Sequence, residues 1–272
     1  MQTKVLTVKT SGFSLDYIKF GTGKRDLVIL PGLSVTNVLA QRDTIASDYK
    51  SLCEFFTVYL LERRSELPSH YTVHMMAEDT VLAFDALGLS HVCLFGASLG
   101  GMIGLDIAAH HPGLIKKLFV ASSPLKVTDT IFAPINSWIE LAEKGDTVSL
   151  LDSMSKMIYP SYIYESFKPM IPGAAAAVTP LDISRFITVA GGIKGFDVTN
   201  AFNSIKARVF VLLAKDDELL GDEAKGQYFE KTLDDGCPEF DVCIKGKGFG
   251  HAVYDTADDF KYNLREFFLG NR

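Results

Sequence analysis

The chain has 272 residues, 47% of them apolar and 22% charged, with a formal net charge of −6. This length suits one sizeable domain with room for an insertion, and the composition is that of a globular protein rather than a disordered one. A net-negative chain without a Lys/Arg run carries no electrostatic footprint for nucleic acid or an anionic membrane, so the expected partner is a small-molecule substrate, with monomer and homodimer both open.

Met1 to Thr10 lacks the apolar stretch of a secretory signal, and no segment reaches the roughly 18–20 apolar residues of a membrane span. Cys53, Cys93, Cys237 and Cys243 form no CxxC pair. These features predict a cytoplasmic protein with reduced thiols and no disulfide framework.

Along the chain, Val5–Lys9 and Ser14–Phe20 read as a hairpin around Ser11-Gly12. Leu27–Leu30 and Phe55–Leu61 are short apolar strands. Val73–Leu87 has helical spacing and stops at Gly88. His91–Phe95 is a buried strand, Leu99–His110 a helix before Pro112, and Lys117–Ala121 a further strand. The alternation then lapses from about Pro124 to Asn203, where helical pieces occur without a clear buried strand. It resumes with Val209–Leu213, a helix over Glu223–Leu233, the strand Phe240–Ile244 and a helix over Thr256–Leu269. Alternating apolar strands and helices predict an α/β fold: a mostly parallel sheet with helices on both faces. The expected organisation is a core formed by residues 1–123 and 204–272, interrupted by a helical insertion over 124–203, roughly 80 residues long and therefore functional.

Gly96-Ala97-Ser98-Leu99-Gly100 is a G-x-S-x-G motif between a strand and a helix. A serine on such a sharp turn projects its hydroxyl beyond the sheet, and side chains two before and two after it would collide, hence Gly96 and Gly100. Gly101 and Gly104 let the helix approach the sheet. A serine hydroxyl needs a base. Of the six histidines, His70 and His74 lie four apart on a predicted solvated helix face and lack a third metal ligand; His91 opens a strand; His110 and His111 close a helix. His251 differs: it follows Gly246-Lys247-Gly248-Phe249-Gly250 in a loop after a strand, where an open α/β sheet places its site. Asp216 and Asp217 both follow the strand Val209–Leu213, and the order Ser…Asp…His suits a triad built on either. Gly21-Thr22-Gly23-Lys24 lacks the spacing of a P-loop, and Gly246, Gly248 and Gly250 open no helix after a first strand. No cofactor or metal is implied.

These motifs, spread over almost the whole chain outside the insertion, resemble the α/β-hydrolase superfamily in its capped, single-domain, esterase-like branch. Leu30-Pro31-Gly32-Leu33 resembles the oxyanion loop, Leu61-Glu62-Arg63-Arg64 the segment after the fourth strand, Ala108–Pro112 a helix-ending segment, and Leu213–Leu220 the acid loop. In that register the acid is Asp217. The resemblance also implies oxyanion donors at the backbone N–H groups of Leu33 and Leu99, and a cap over the site formed by the insertion. Pro31, Glu62 and Ala214 depart from the commoner family residues without removing a catalytic atom. Ser98 stands where dehalogenases and epoxide hydrolases of the superfamily carry aspartate.

The insertion is rich in Met and aromatic residues, including Trp138, Met154, Met157 and Tyr159, which suits an adaptable apolar pocket. The expected function is therefore a serine hydrolase that cleaves a carboxylic ester or thioester with a small apolar or aromatic acyl group through an acyl-enzyme on Ser98. A C–C bond hydrolase, lyase or acyltransferase would use the same triad. A non-enzymatic receptor would retain the pocket without an activated serine.

Overall fold

A computed structural model describes residues 2–234 and 238–270. Cys237, expected as a reduced thiol, lies outside the described residues. Cys53, Cys93 and Cys243 are free.

Eight strands form one sheet in the order β1-β2-β4-β3-β5-β6-β7-β8. They are β1 (Leu6–Lys9), β2 (Ser14–Phe20), β3 (Arg25–Leu30), β4 (Phe56–Arg64), β5 (Val92–Ala97), β6 (Ile115–Ala121), β7 (Arg208–Ala214) and β8 (Phe240–Lys245). The first two strands run antiparallel and the rest pair in parallel. The central strands are near-continuous apolar runs because helices cover both faces; every residue of β5 is buried.

The helices of the first half are α1 (Arg42–Asp48), α2 (Val73–Leu87) and α3 (Leu99–His110). Between β6 and β7 lie α4 (Asp129–Glu143), α5 (Thr147–Ile158), α6 (Ser161–Phe167), α7 (Ile171–Ala176) and α8 (Pro180–Gly191). The chain closes with α9 (Gly221–Lys231), α10 (Val253–Thr256) and α11 (Phe260–Leu269). One apolar layer joins α2, α3 and α9 to the sheet and continues into α4, α5 and α8. The other packs Phe260, Leu264, Phe267 and Phe268 of α11, with residues near α1, against Phe95 and Phe119. No helix among the described residues is long and apolar enough to cross a membrane.

Local chemistry explains the element ends. The Thr72 side chain accepts from the Met75 N–H at the start of α2, and Gly88 ends it in the left-handed region (φ 69°). The Thr179–Asp182 capping box starts α8.

Several boundaries differ from the sequence expectation. The strand expected to end at Phe95 continues to Ala97, because Gly96 and Ala97 pair with Val120 and Ala121 of β6. The strand expected over Phe55–Leu61 reaches Arg64, which pairs with Leu15 of β2. The single closing helix is two: Ala257 takes an extended backbone (ψ 114°) after α10, and α11 starts afresh at Phe260. Helix α1 has no counterpart in the sequence reading because Ala46 is its only buried residue, too few to create a period.

The chain reverses its lateral direction at β3, which sits between β4 and β5. The crevice at the carboxyl ends of β3 and β5 is thus the topological switch point, where open α/β sheets place ligands. Its floor is tight. A Cβ on Gly96 would meet Gly100 O at 2.4 Å, and one on Gly100 would meet Leu30 O at 2.0 Å. Gly101 and Gly104 likewise leave no room, against Ser123 Oγ (2.1 Å) and the Leu94 and Leu118 side chains (each 2.9 Å). Gly100→Ala is therefore expected to force α3 away from β3 and to lower stability by about 1–3 kcal/mol or more in urea unfolding. An unchanged unfolding midpoint would show that this contact is not limiting.

Candidate active site

Ser98 sits between β5 and α3 with φ 51° and ψ −117°, a conformation that L-residues rarely adopt. Hydrogen bonds hold it there. Its N–H donates to Ala121 O (2.8 Å), and its carbonyl accepts from Gly101 N (2.9 Å), Met102 N (3.1 Å) and Ser123 Oγ (2.6 Å). The Ser98 hydroxyl lies 2.9 Å from His251 Nε2. On the far side of the ring, Nδ1 lies 2.9 Å from Asp217 Oδ2. A carboxylate only accepts, so Nδ1 carries the proton and Nε2 is left with a free lone pair facing Ser98. Asp217 is fixed in turn, its Oδ1 accepting from the N–H groups of Leu219 (3.1 Å) and Leu220 (3.0 Å). His251 and Asp217 are 2% and 3% exposed, so solvent cannot compete for either bond.

The loop bearing His251 has its own supports. Asp216 accepts from Gly248 N (2.6 Å), Gly250 N (3.2 Å) and Phe249 N (3.4 Å). Ser122 Oγ donates to the His251 carbonyl (2.5 Å), and Ala252 N donates to Ile158 O at the end of α5 (3.0 Å). The acidic neighbours thus divide their work: Asp217 faces the imidazole and Asp216 clamps the loop. The sequence names both residues but cannot assign the clamp, which needs three loop amides brought round from 32 to 34 residues away.

A cavity opens above Ser98. Gly32, Leu33, Ser98, Met102, Leu219, Leu220, His251 and Tyr254 line it from the core, and Ile131, Ile135, Trp138, Met154, Ile158 and Ile193 from the segment between β6 and β7. Leu99, wholly buried, begins α3 directly after Ser98, and Gly32 lies close enough that its Cβ would sit 3.4 Å from Ser98 Cβ. The N–H groups of Leu33 and Leu99 thus belong to the two segments flanking the hydroxyl. The indole N–H of Trp138 donates to Ser153 Oγ (3.1 Å), which leaves the ring's apolar surface for the cavity. Burial holds the Tyr254 phenol well above its ordinary pKa, so it stays a neutral hydroxyl.

Two expected pocket residues lie elsewhere. Met157 packs partly buried against the core, while Met154 and Ile158, one turn apart on α5, take the cavity positions. Tyr159 follows α5 with extended backbone, and its ring meets Phe167 edge-on at 5.2 Å. Burial, with Asp255 nearby, pushes its phenol up to about 12.

Arg63 is a support that the sequence shows only as a family likeness. Its Nη2 donates to Pro31 O (2.9 Å) and Gly32 O (3.3 Å), anchoring the loop that carries Leu33. Glu62 braces it, accepting from Arg63 N (2.8 Å) and Val38 N (2.9 Å). Outside this site, His74, which the sequence places on a solvated helix face, lies beside Asp106 and His110.

The alpha/beta hydrolase fold family matches residues 50–166 of the chain. A putative carbamate hydrolase RutD of Agrobacterium fabrum is 26% identical over 233 residues, 81% of this chain and 85% of that one. Among solved structures, MGS-M2, an alpha/beta hydrolase enzyme from a Medee basin deep-sea metagenome library, superposes with TM-score 0.83 at 18% identity, covering 99% of this chain and 98% of its own. The enol-lactonase of Burkholderia xenovorans LB400 superposes with TM-score 0.77 at 17% identity, covering 97% and 100%. Sheet, family match and structural neighbours together define the class: the chain has the α/β-hydrolase fold, and the matches to the fold family and to its relatives support a hydrolase.

Asp216 generates a test of the loop. Burial raises its pKa, but the amides of Gly248, Gly250 and Phe249 outweigh that and leave it below the ordinary aspartate value. A carboxyl depressed in the folded state stabilises above its unfolded pKa, about 3.9, and that contribution is lost as pH falls through the folded value. Asp216→Ala is expected to lower the melting temperature at pH 7, with the gap to wild type closing below about pH 4. It is also expected to reduce hydrolytic kcat/KM by roughly tenfold to a hundredfold through misplacement of His251. A gap that persists unchanged at pH 2–3 would contradict this role.

Proposed function

We propose that the protein is a serine hydrolase that cleaves a carboxylic ester or thioester with a small apolar or aromatic acyl group. The observation that carries this reading is the Ser98 Oγ–His251 Nε2 contact of 2.9 Å, backed by Asp217 and opening into an apolar cavity. In this mechanism Ser98 Oγ attacks the substrate carbonyl carbon while its proton passes to His251 Nε2. The carbonyl oxygen becomes an oxyanion, held by the N–H groups of Leu33 and Leu99 and by the N-terminal end of α3. One such donor is worth about 3–4 kcal/mol of barrier. Collapse returns the electron pair to the carbonyl, expels the alcohol or thiol and passes it the proton from His251. Water then enters, loses a proton to the same nitrogen, and releases the acid and Ser98.

The segment between β6 and β7 acts as a cap. Ile131, Ile135, Trp138, Met154 and Ile158 hold the acyl group by apolar burial, and no charged side chain lines the cavity beside them. A second reading keeps the same attack but changes the leaving group: a carbamate carbonyl fits this machinery equally well, and the RutD relative is named for that substrate class.

A fluorophosphonate probe is expected to label Ser98 stoichiometrically, to fail on Ser98→Ala, and to label His251→Ala at least about 10⁴-fold more slowly. Folded wild-type protein that does not label would overturn the proposal. Among p-nitrophenyl esters, neutral acyl groups are expected to exceed a carboxylate-bearing one by at least about a hundredfold in kcat/KM, equivalent to about 2.7 kcal/mol, because the cavity offers a charge no partner. A preference for the charged ester would refute the apolar acyl site. Faster turnover of a matched carbamate than of its ester would favour the second reading.

A further inference from the structure

Helices α2 and α3 bring three donor side chains together on the outer surface, away from the cavity. Asp106 of α3 is 5% exposed, and its Oδ1 lies 2.8 Å from His74 Nδ1 of α2 and 3.3 Å from His110 Nδ1 at the end of α3. The donor atoms of the three residues all lie within 4.8 Å of one another. The two imidazoles meet edge to face with centroids 5.1 Å apart, and their side chains are 55% and 44% exposed. A tetrahedral ion with bonds of about 2.0–2.1 Å separates its ligand atoms by roughly 3.3 Å. The 2.8 and 3.3 Å separations from Asp106 Oδ1 are close to that edge length and the ring donor atoms lie within 4.8 Å of each other, so movement of two half-exposed rings would admit an ion.

We propose that His74, Asp106 and His110 form a binding site for one divalent transition-metal ion, with zinc the best fit to a donor set of two imidazoles and one carboxylate. The buried carboxylate supplies the negative charge, and the half-exposed imidazoles leave the outer face open, so water completes the coordination. Coordination through Nδ1 requires each neutral ring to carry its proton on Nε2 instead, facing solvent, and His110 Nδ1 gives up its 3.0 Å contact with the Asp106 carbonyl. The ion closes a bridge between α2 and α3 beside an existing one, in which His111 Nε2 lies 2.6 Å from Glu78 Oε1. Asp106 lies about 11 Å along α3 from its start behind Ser98, so the ion stiffens the helix that carries the elbow and takes no part in bond breaking.

Purified, chelator-treated protein is dialysed against Zn²⁺, and the visible d–d bands of bound Co²⁺ are recorded in parallel. One ion per chain is expected, with Co²⁺ bands of four-coordinate type and a raised melting temperature. Single His74→Gln and His110→Gln variants are expected to bind at least about tenfold more weakly, and the double variant to lose the bands. Both rings are half exposed, so these variants keep the fold where Asp106→Asn would endanger it, and an unchanged metal-free melting temperature checks that. Wild type that takes up no ion, or binding that survives the double variant, would overturn the site. Because fluorophosphonate labelling of Ser98 needs no ion, this outcome is separable from that of the catalytic reading.

Discussion

The backbone at Ser98 is the constraint on which the rest depends. A serine at φ 51° stores about 1–3 kcal/mol of strain, and it persists only because its surroundings over-determine it. Ala121 takes its N–H, three donors converge on its carbonyl, and glycines on either side remove the atoms that would push the turn open. The return on that strain is directional. The hydroxyl stands clear of the sheet, at hydrogen-bonding distance from an imidazole and at the head of a helix whose free N–H groups point the same way.

The imidazole is held with equal care from several unrelated parts of the chain. Asp217 on the β7 loop sets its tautomer, Asp216 gathers the glycine-rich loop before it, and Ser122 at the end of β6 fixes its carbonyl. Ala252 reaches across to Ile158 of α5, which also lines the cavity. The segment that shapes the pocket and the loop that carries His251 are therefore one mechanical unit. A change of packing in α5 reaches the reacting atoms through a single backbone hydrogen bond. Arg63 plays the matching part on the other side, tying the carbonyls of Pro31 and Gly32 from β4.

Much of this was legible in the sequence, for identifiable reasons. The central strands are fully buried and so read as continuous apolar runs, α2 and α3 carry clear start and stop signals, and the elbow's glycines answer steric demands local to a few residues. What was not legible depends on contacts between distant segments. The clamp at Asp216 requires amides beyond Lys247; α1 has one buried residue and no period; β4 extends only because β2 lies beside it. The pocket shows the same limit. Composition marks Trp138, Met154, Met157 and Tyr159 alike, yet Trp138 on α4 and Met154 on α5 line the cavity, while the rotation of α5 and its extended exit put Met157 and Tyr159 off it. His74 and His110 illustrate it again, since 36 positions of sequence separate rings that sit on adjoining helices.

The account stands most directly on where an oxyanion would rest. A crystal structure of the protein after reaction with a small alkyl phosphonate measures it. The account requires phosphorus bonded to Ser98 Oγ, with the phosphoryl oxygen about 2.7–3.1 Å from the N–H groups of both Leu33 and Leu99 and the alkyl group between Trp138 and Met154. An adduct on another residue, or a phosphoryl oxygen turned away from both amides, would contradict it.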